Sequence, residues 1–288
     1  MSNSTLWKAL INQGSHSPYP NNTSVFKIQG NSLTSMYITP VEDCVVDFGD
    51  GTKQTYTGNN RSTQVTRSYS ESNIYTIKIT GNHSHFRASR NTIEIIQISN
   101  SVTNYLQMFS GCSKLTTIPS TLTIPNSVTN CSEMFYSCSS LTEIPETLTI
   151  PNSVTNCSYM FSFCSRLTTI PSTLTIPNSV TNCSNMFRNC SRLTTIPSTL
   201  TIPNSVTNCS NMFNNCSRLT SDISNIWPST WNYTGTINVS QMFYGCSKAV
   251  GTVPADKLWN SSKTFNSSSC FTNCTSLTNY NEIPDTWK

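Results

Sequence analysis

The sequence predicts a mainly β protein with short helices, in which an N-terminal β-sandwich is followed by a solenoid of about seven coils. Two observations support this fold class. Near-identical segments recur every 26 residues, and they begin at Asn126, Asn152, Asn178 and Asn204. A fixed period of that length is typical of a solenoid, whose units bury their apolar faces only by stacking on one another. Ahead of the repeats, short alternating segments bounded by turn residues indicate β-strands.

An N-terminal arm occupies residues 1–23 in this division of the chain, ahead of the sandwich at 24–99 and the solenoid at 100–288. Ser4 is placed to cap a short amphipathic helix in the arm. The apolar face of this helix consists of Leu6, Trp7, Leu10 and Ile11. An apolar helix followed by a proline-containing linker is typical of a peptide that docks in a groove of a partner. The alternative is that the arm folds back onto its own sandwich.

The sandwich is predicted from two segments of the second region. One strand ends in a turn at 48–51, where Asp50-Gly51 supplies the positive φ that a hairpin requires. The segment 74–80 alternates as a half-buried strand and contains Tyr75-Thr76-Ile77. Together the Phe-Gly-Asp-Gly turn and the Tyr-Thr-Ile strand resemble a PKD-like β-sandwich. The resemblance implies a module that covers the open edge of the first coil.

No metal site is predicted in this region, and we expect no cofactor. Asp47 and Asp50 fit the turn better than they fit a pair of metal ligands. His83 and His85 form an isolated pair with no third ligand apparent, so we assign them to a solvated loop.

Each coil is predicted to combine a short strand, an extended connector and one or two helical turns. The segment 193–197 has the composition of a strand and ends at Pro197, which cannot donate a ladder hydrogen bond. The spacing of one helical face is seen in Cys209, Met212, Phe213 and Cys216. We expect a hydrogen-bonded ladder along one corner, formed by Asn130, Asn156, Asn182 and Asn208.

A Met-Phe pair marks six coils, and a degenerate seventh copy carries Cys270-Phe271. The methionines are Met108, Met134, Met160, Met186, Met212 and Met242. With Val-Thr-Asn before the pair and Cys and Leu-Thr after it, the pattern resembles the BspA-like leucine-rich repeats and the related MF-x-x-C-x-x-L repeat of bacterial surface proteins. The resemblance extends from about residue 101 to 284, and it implies a noncatalytic, often adhesive, surface repeat.

The thirteen cysteines recur with the repeat, and we therefore expect them to be buried free thiols. Cys131 and Cys138 lie seven residues apart within one coil, too far to bond across a helical segment. Cysteines in adjacent coils are near enough for a disulfide, but their parallel side chains are poorly aimed for one. The alternative of zinc binding would require close pairs that converge on one point, whereas these columns diverge along an axis.

Two candidate binding surfaces follow from a comparison of the repeats with one another. The first, which we call the ridge, comprises the variable positions around the Met-Phe pair; its candidate contact residues are Tyr136, Tyr159, Phe163, Arg188 and Tyr244. Such a composition is typical of adaptable recognition surfaces. The second, the basic stripe, is a single coil position with Lys114, Arg166, Arg192, Arg218 and Lys248. It is suited to an acidic glycan or to carboxylates of a protein, and the alternative is a merely solvated face.

Composition and motifs exclude several classes of function. The formal net charge is only +4, and no basic run interleaved with aromatics indicates nucleic-acid binding. No segment is long and apolar enough for membrane insertion. No hydrolase, metalloprotease or P-loop motif is present, and acidic residues do not form recurrent pairs. We therefore expect a protein that is not an enzyme; a glycan-active enzyme would need an acidic pair in a cleft.

The expected function is that of a noncatalytic structural and binding protein. The first setting is a bacteriophage virion, with a decoration or fibre protein that contacts other virion proteins through its arm and a host-surface protein or glycan through its solenoid. No export signal and no cell anchor are recognised in the sequence, which is why the virion is placed first. The alternative is a bacterial cell-surface adhesin. A homo-oligomer is compatible with either setting.

Overall fold

The computed structural model of the protein describes residues 18–30 and 33–288. Its N-terminal part contains eight strands, which are β1 (Thr23–Gln29), β2 (Leu33–Pro40), β3 (Cys44–Asp47), β4 (Lys53–Tyr56), β5 (Thr63–Ser68), β6 (Ile74–Thr80), β7 (His83–Arg87) and β8 (Thr92–Gln97). They form a five-stranded sheet in the order β4-β3-β6-β1-β8 and a three-stranded sheet in the order β5-β2-β7. All of these strand pairs are antiparallel.

The two sheets share one apolar core, because alternate residues of each strand face the other sheet. Phe26 of β1 and Phe86 of β7 lie in different sheets, and their rings stack with centroids 5.6 Å apart. Ile28, Ile38 and other aliphatic side chains around them are fully buried. The assignment of both histidines to a solvated loop is wrong, because His83 and His85 belong to β7, where His83 is completely buried and His85 is half-buried.

The repeats contain almost no regular secondary structure. Their only strands in the described part are β9 (Ile237–Asn238) and β10 (Phe265–Asn266), which pair in parallel. One 3₁₀ turn lies between these strands, at Ala255–Lys257, and two follow them, at Tyr280–Glu282 and Asp285–Trp287. The predicted mainly β class is confirmed. The predicted short helices are absent from the described Met-Phe segments, and the predicted strand at 193–197 is reduced to one parallel bridge from Thr195 to Thr169.

Hydrogen bonding between repeats explains why the Met-Phe segment is not helical. Alternate N–H groups donate to the next repeat, as in Phe161 N to Met186 O at 2.9 Å. The N–H groups between them close tight turns within the repeat, as in Ser162 N to Tyr159 O at 3.1 Å. In an α-helix each N–H would donate to the carbonyl four residues earlier. Here every second N–H donates to a neighbouring repeat instead. The spacing that indicates a helical face instead marks side chains buried by stacking.

Serine, threonine and asparagine join the repeats through the backbone. The Oγ1 of Thr194 donates to Thr168 O at 3.1 Å, and the Oγ of Ser179 donates to Val154 O at 2.7 Å. The expected asparagine ladder exists as backbone bridges that link Asn130, Asn156, Asn182, Asn208 and Asn238 in series. The amide side chains instead accept from the serine two residues on, as Asn208 Oδ1 does from Ser210 N at 3.1 Å. These contacts explain the unusually polar composition.

A column of phenylalanines forms the centre of the repeats, and we call it the aromatic column. It consists of Phe109, Phe135, Phe161, Phe187, Phe213, Phe243 and Phe271. Neighbouring rings stack with centroids 5.4 to 6.1 Å apart. Offset stacking of this kind contributes about 0.5–1.5 kcal/mol per pair beyond the burial itself. The column therefore holds successive repeats in register.

Both ends of the aromatic column are covered. At the N-terminal end, Phe86 of β7 meets the edge of Phe109 with centroids 5.8 Å apart, and Ala88 N donates to Met108 O at 2.7 Å. At the C-terminal end, the indole of Trp287 stacks on Phe271 at 6.2 Å, and Phe271 N donates to Trp287 O at 2.8 Å. Neither end of the repeat core thus exposes an aromatic face to water.

Candidate binding surface

The ridge rests on two backbone positions per repeat that adopt the left-handed conformation. In one repeat these are Tyr159, with φ of 58°, and Phe163, with φ of 61°. Their N–H groups donate to Ser184 O at 2.9 Å and Arg188 O at 2.7 Å, so the conformation is part of the bonding between repeats. The backbone at these positions recurs, whereas the side chains vary. Glycine and asparagine tolerate this φ, but for bulky aromatic residues it is rare and strained.

The structure brings four of the predicted ridge residues together. The Tyr136 ring lies 5.5 Å from the Phe163 ring and 6.2 Å from the Tyr159 ring, in edge-to-face arrangements. The Arg188 guanidinium lies 5.9 Å from the centroid of Phe163. Phe163 is 36% exposed, and the other three are half-buried. Three neighbouring repeats thus contribute to one patch, which we call the aromatic patch.

Amide side chains continue the ridge beyond the aromatic patch. Asn214 Nδ2 donates to Asn211 Oδ1 at 2.9 Å, and Asn215 Nδ2 donates to Asn189 Oδ1 at 3.2 Å. Tyr244 lies farther along and is half-buried, without a ring contact in the described part of the chain. The predicted ridge therefore divides into the aromatic patch, an amide segment and the separate Tyr244.

The basic stripe is exposed to solvent at each of its positions, which are Lys114, Arg166, Arg192, Arg218 and Lys248. Within residues 18–30 and 33–288, none of these side chains forms an ion pair or a side-chain hydrogen bond. The ion pairs of the described chain lie elsewhere, for example Arg67 Nε to Asp50 Oδ2 at 2.7 Å. An uncompensated row of cations attracts anionic partners.

Arg188 belongs to the ridge and not to the basic stripe. Its Nε is buried without a hydrogen-bond acceptor in the described structure.

The cysteines are buried and unpaired, as expected from the repeat. Burial raises the pKa of Cys164 to about 12 and that of Cys112 to about 12. Cys190 Sγ donates to Phe161 O at 3.2 Å, and Cys216 Sγ donates to Phe187 O at 3.2 Å. Only a protonated thiol can donate these hydrogen bonds to carbonyl oxygens, and a protonated thiol is a poor nucleophile.

The two aspartates near the N-terminal turn have structural roles. Asp47 Oδ1 accepts from Gly49 N at 2.9 Å, and Asp50 Oδ1 accepts from Thr52 N at 3.0 Å. Burial acts to raise the pKa of Asp50, but bonds from Thr52 and Arg67 outweigh it and hold the pKa below its usual value. The turn interpretation of both residues is therefore correct. Among the residues with assigned positions, no three potential ligands cluster as a metal site would require.

The predicted docking arm, with Leu6, Trp7, Leu10 and Ile11, lies outside the described residues.

One contact of the ridge was not predicted. Arg87 Nη1 donates to Gln107 Oε1 at 3.2 Å, and Gln107 Nε2 donates to Glu133 Oε2 at 2.9 Å, which links β7 to the first two repeats. No sequence pattern relates Arg87 to the repeats, so only the folded structure reveals this link.

In the described part of the chain, no helix has the length and apolar character needed to cross a membrane.

Two protein families match the chain. Residues 59–172 and 82–220 match the family described as "BspA type Leucine rich repeat region", with 6 copies of the repeat. Residues 155–287 match the family described as "Mycoplasma protein of unknown function, DUF285". No curated protein matches the chain, and no solved structure matches it. The first family spans more than half of the sequence, including the aromatic patch.

Proposed function

Because the chain belongs to the BspA-type leucine-rich repeat proteins, we propose that it is a noncatalytic binding protein whose ridge attaches to a partner surface. The observation that carries this proposal is the aromatic patch. Tyr159 and Phe163 occupy left-handed positions that asparagine fills in the next two repeats. Strained residues of this kind persist where the side chain has a function.

The fold we propose is a solenoid of about seven coils covered by a PKD-like β-sandwich. Support comes from the parallel bridges between successive repeats and from the ring stacking of the aromatic column. The contacts of Phe86 and Ala88 with the first repeat support the covering role of the sandwich. A solenoid leaves a long lateral surface free for binding.

The noncatalytic part of the proposal is supported by the state of the titratable side chains. Burial raises the pKa of the repeat thiols, which keeps them protonated. Burial also lowers the pKa of His83 to about 4, and its ring nitrogens are occupied by hydrogen bonds within the sandwich. These groups are held in the protonation states that favour packing rather than proton transfer.

Two settings remain for such a protein, a bacterial cell surface and a bacteriophage virion. The family match over residues 155–287 favours the bacterial setting, since its description names Mycoplasma. Fractionation of the source distinguishes them: enrichment in the cell envelope supports the adhesin, and stoichiometric recovery in purified phage particles supports the virion protein. The virion setting would also require a partner for the N-terminal arm.

An adhesion assay tests the proposed role of the ridge. Beads coated with the full chain are compared with beads that carry Tyr136→Asn, Tyr159→Asn and Phe163→Asn together, on epithelial cells and on mucin. Asparagine occupies the corresponding positions of later repeats at Asn214, Asn185 and Asn189, so the variant is expected to fold. We expect adhesion of the variant to fall about tenfold or more, as for loss of a central aromatic contact.

A matched control variant carries Thr149→Asn, Thr175→Asn and Thr201→Asn, which are exposed positions away from the Met-Phe segment in the three repeats that contribute to the aromatic patch. It should adhere like the unmodified chain. Thermal unfolding monitored by circular dichroism verifies that all three proteins are folded. Equal adhesion of the ridge variant and the unmodified chain would contradict the proposed function.

A further inference from the structure

We propose that the aromatic patch and the adjoining amide segment bind a carboxylated oligosaccharide. Tyr136, Tyr159 and Phe163 would pack against sugar rings, and Arg188 would pair with a carboxylate. The inference rests on the proposed binding role of the ridge and names the chemical class of its ligand.

The aromatic patch offers rings that are already held in place. Tyr136 contacts Phe163 and Tyr159 edge-to-face, so the three rings restrict one another. Aromatic side chains supply rigid contact area at low entropic cost. The C–H faces of a sugar ring are apolar and pack on such surfaces, whereas its hydroxyls require polar neighbours. A partly exposed Phe163 beside half-buried tyrosines meets the first requirement.

Arg188 supplies the specificity for a carboxylate. Its guanidinium lies 5.9 Å from the centroid of Phe163, and that contact orients its planar group. The side chain makes no ion pair in the described part of the protein, and because its Nε is buried, its terminal nitrogens are the ones that would meet a ligand. Arginine binds carboxylates through parallel hydrogen bonds. The carboxylate of a sugar that packs against Phe163 would therefore pair with the guanidinium of Arg188.

The amide segment supplies donors and acceptors farther along the same ridge. Asn189 and Asn215 are linked to each other, and Asn211 and Asn214 form a second pair. Asn214 is buried. Asn189, Asn211 and Asn215 are therefore the amides that keep spare donor and acceptor capacity at the surface. The pair of Asn189 and Asn215 joins two successive repeats, so it follows the axis along which the aromatic patch also extends. An extended oligosaccharide fits this arrangement better than a monosaccharide does.

The charge of the surface decides between a neutral and an acidic ligand. The exposed cations of the basic stripe have no ion-pair partners in the described residues, and Arg166 follows Phe163 by three positions in the chain. Complementary charge raises the rate of association and disfavours cationic partners. The aromatic faces and paired amides favour a sugar over an acidic peptide, which would offer fewer apolar ring faces.

Isothermal titration calorimetry of the full chain tests the inference with three carboxylated probes: a hyaluronan hexasaccharide, tetragalacturonate and 3′-sialyllactose. Each is paired with its carboxyl-reduced form, which keeps the sugar skeleton and removes the charge. We expect at least one acidic probe to bind and its reduced form to bind about tenfold more weakly, the effect of losing a charged hydrogen bond. Arg188→Gln should weaken binding of the acidic probe by a similar factor.

The ridge variant, with Tyr136→Asn, Tyr159→Asn and Phe163→Asn, should lose binding of the acidic probe. The control variant, with Thr149→Asn, Thr175→Asn and Thr201→Asn, should retain it. A single-stranded thymidine decamer serves as a polyanion without sugar carboxylates. The inference is overturned if no acidic probe binds, if the reduced form binds equally well, or if the decamer binds as tightly as the best acidic probe.

Competition in the adhesion assay separates this inference from the proposed function. An acidic probe that binds should also block adhesion of the coated beads. If adhesion requires the ridge but persists in the presence of every acidic probe, the ridge binds another partner and only the carbohydrate inference fails. If adhesion does not require the ridge, the proposed function itself fails.

Discussion

His83 illustrates how one buried polar residue is satisfied in this protein. Its Nδ1 lies 2.8 Å from Gly81 O, which can only accept, so Nδ1 carries the proton. Its Nε2 lies 2.8 Å from Ser24 Oγ, and that hydroxyl also accepts from Ser99 N at 3.0 Å. Burial lowers the pKa of His83 to about 4, so the ring is neutral at pH 7. With the proton on Nδ1, Nε2 is an acceptor, and the Ser24 hydroxyl donates to it.

Stability is predicted to fall as the pH falls from 7 to 5. The unfolded ring has a pKa of about 6.5 and the folded ring has a pKa of about 4, so the unfolded state binds more protons between these values. The loss should be about 2 kcal/mol at pH 5, measured as the free energy of unfolding in urea. His83→Gln should show a flatter profile over this range. Equal stability of the unmodified chain at pH 7 and pH 5 would show that His83 is not held neutral.

The Met-Phe segment shows how an element can be built from turns alone. Its buried side chains, such as Met160 and Phe161, are completely enclosed, while its left-handed positions carry the ridge. The same backbone turn thus serves both the core and the ridge. Strain at Phe163 costs about 1–2 kcal/mol for a residue with a Cβ, and the bonds between repeats overcome it.

Substitutions at Phe163 should reverse the usual order of alanine and glycine. Glycine adopts a φ of 61° without strain, whereas alanine does not, so Phe163→Gly should be more stable than Phe163→Ala by about 1 kcal/mol. At the exposed Thr175, which lacks a positive φ, alanine should be the more stable of the two. Chemical denaturation of the four variants measures both differences. The usual order at both positions would refute the left-handed conformation.

At the scale of the whole molecule, aromatic contacts extend from the sandwich core to the C-terminal turn. Phe26 stacks on Phe86, Phe86 meets Phe109, and Trp287 stacks on Phe271 at the other end. In an array of this kind each repeat is stabilised mainly by its neighbours. The terminal repeats therefore depend on their covers more than the central repeats do.

Removal of the C-terminal cover should destabilise the molecule locally. Trp287→Ala deletes a buried ring, for which a cost of about 3 kcal/mol is typical, and it exposes Phe271. Hydrogen exchange should become faster in residues 269–283 and stay unchanged in β1 and β6. Trp287→Phe retains an aromatic face and should behave much like the unmodified chain. A uniform increase in exchange along the whole chain would argue against independent covering of this end.

The sequence by itself determined the repeat, its period, the buried residues and the positions that vary. Cys, Met, Phe and Leu recur at the same places, and burial of apolar side chains requires only that these places face inward. The mainly β class and the unpaired, buried state of the cysteines follow from the same pattern. The Asp-Gly turn was also evident, since its geometry depends on local backbone preference.

Only the tertiary structure decided how each repeat is bonded and what its variable residues form. The pattern of Cys209, Met212, Phe213 and Cys216 fits a helix, but their backbone donors are divided between local turns and the neighbouring repeat. The aromatic patch and the cover at Trp287 likewise join residues from different repeats or from the chain end. Such contacts depend on which segments stack, and a periodicity within one segment carries no information about its neighbour.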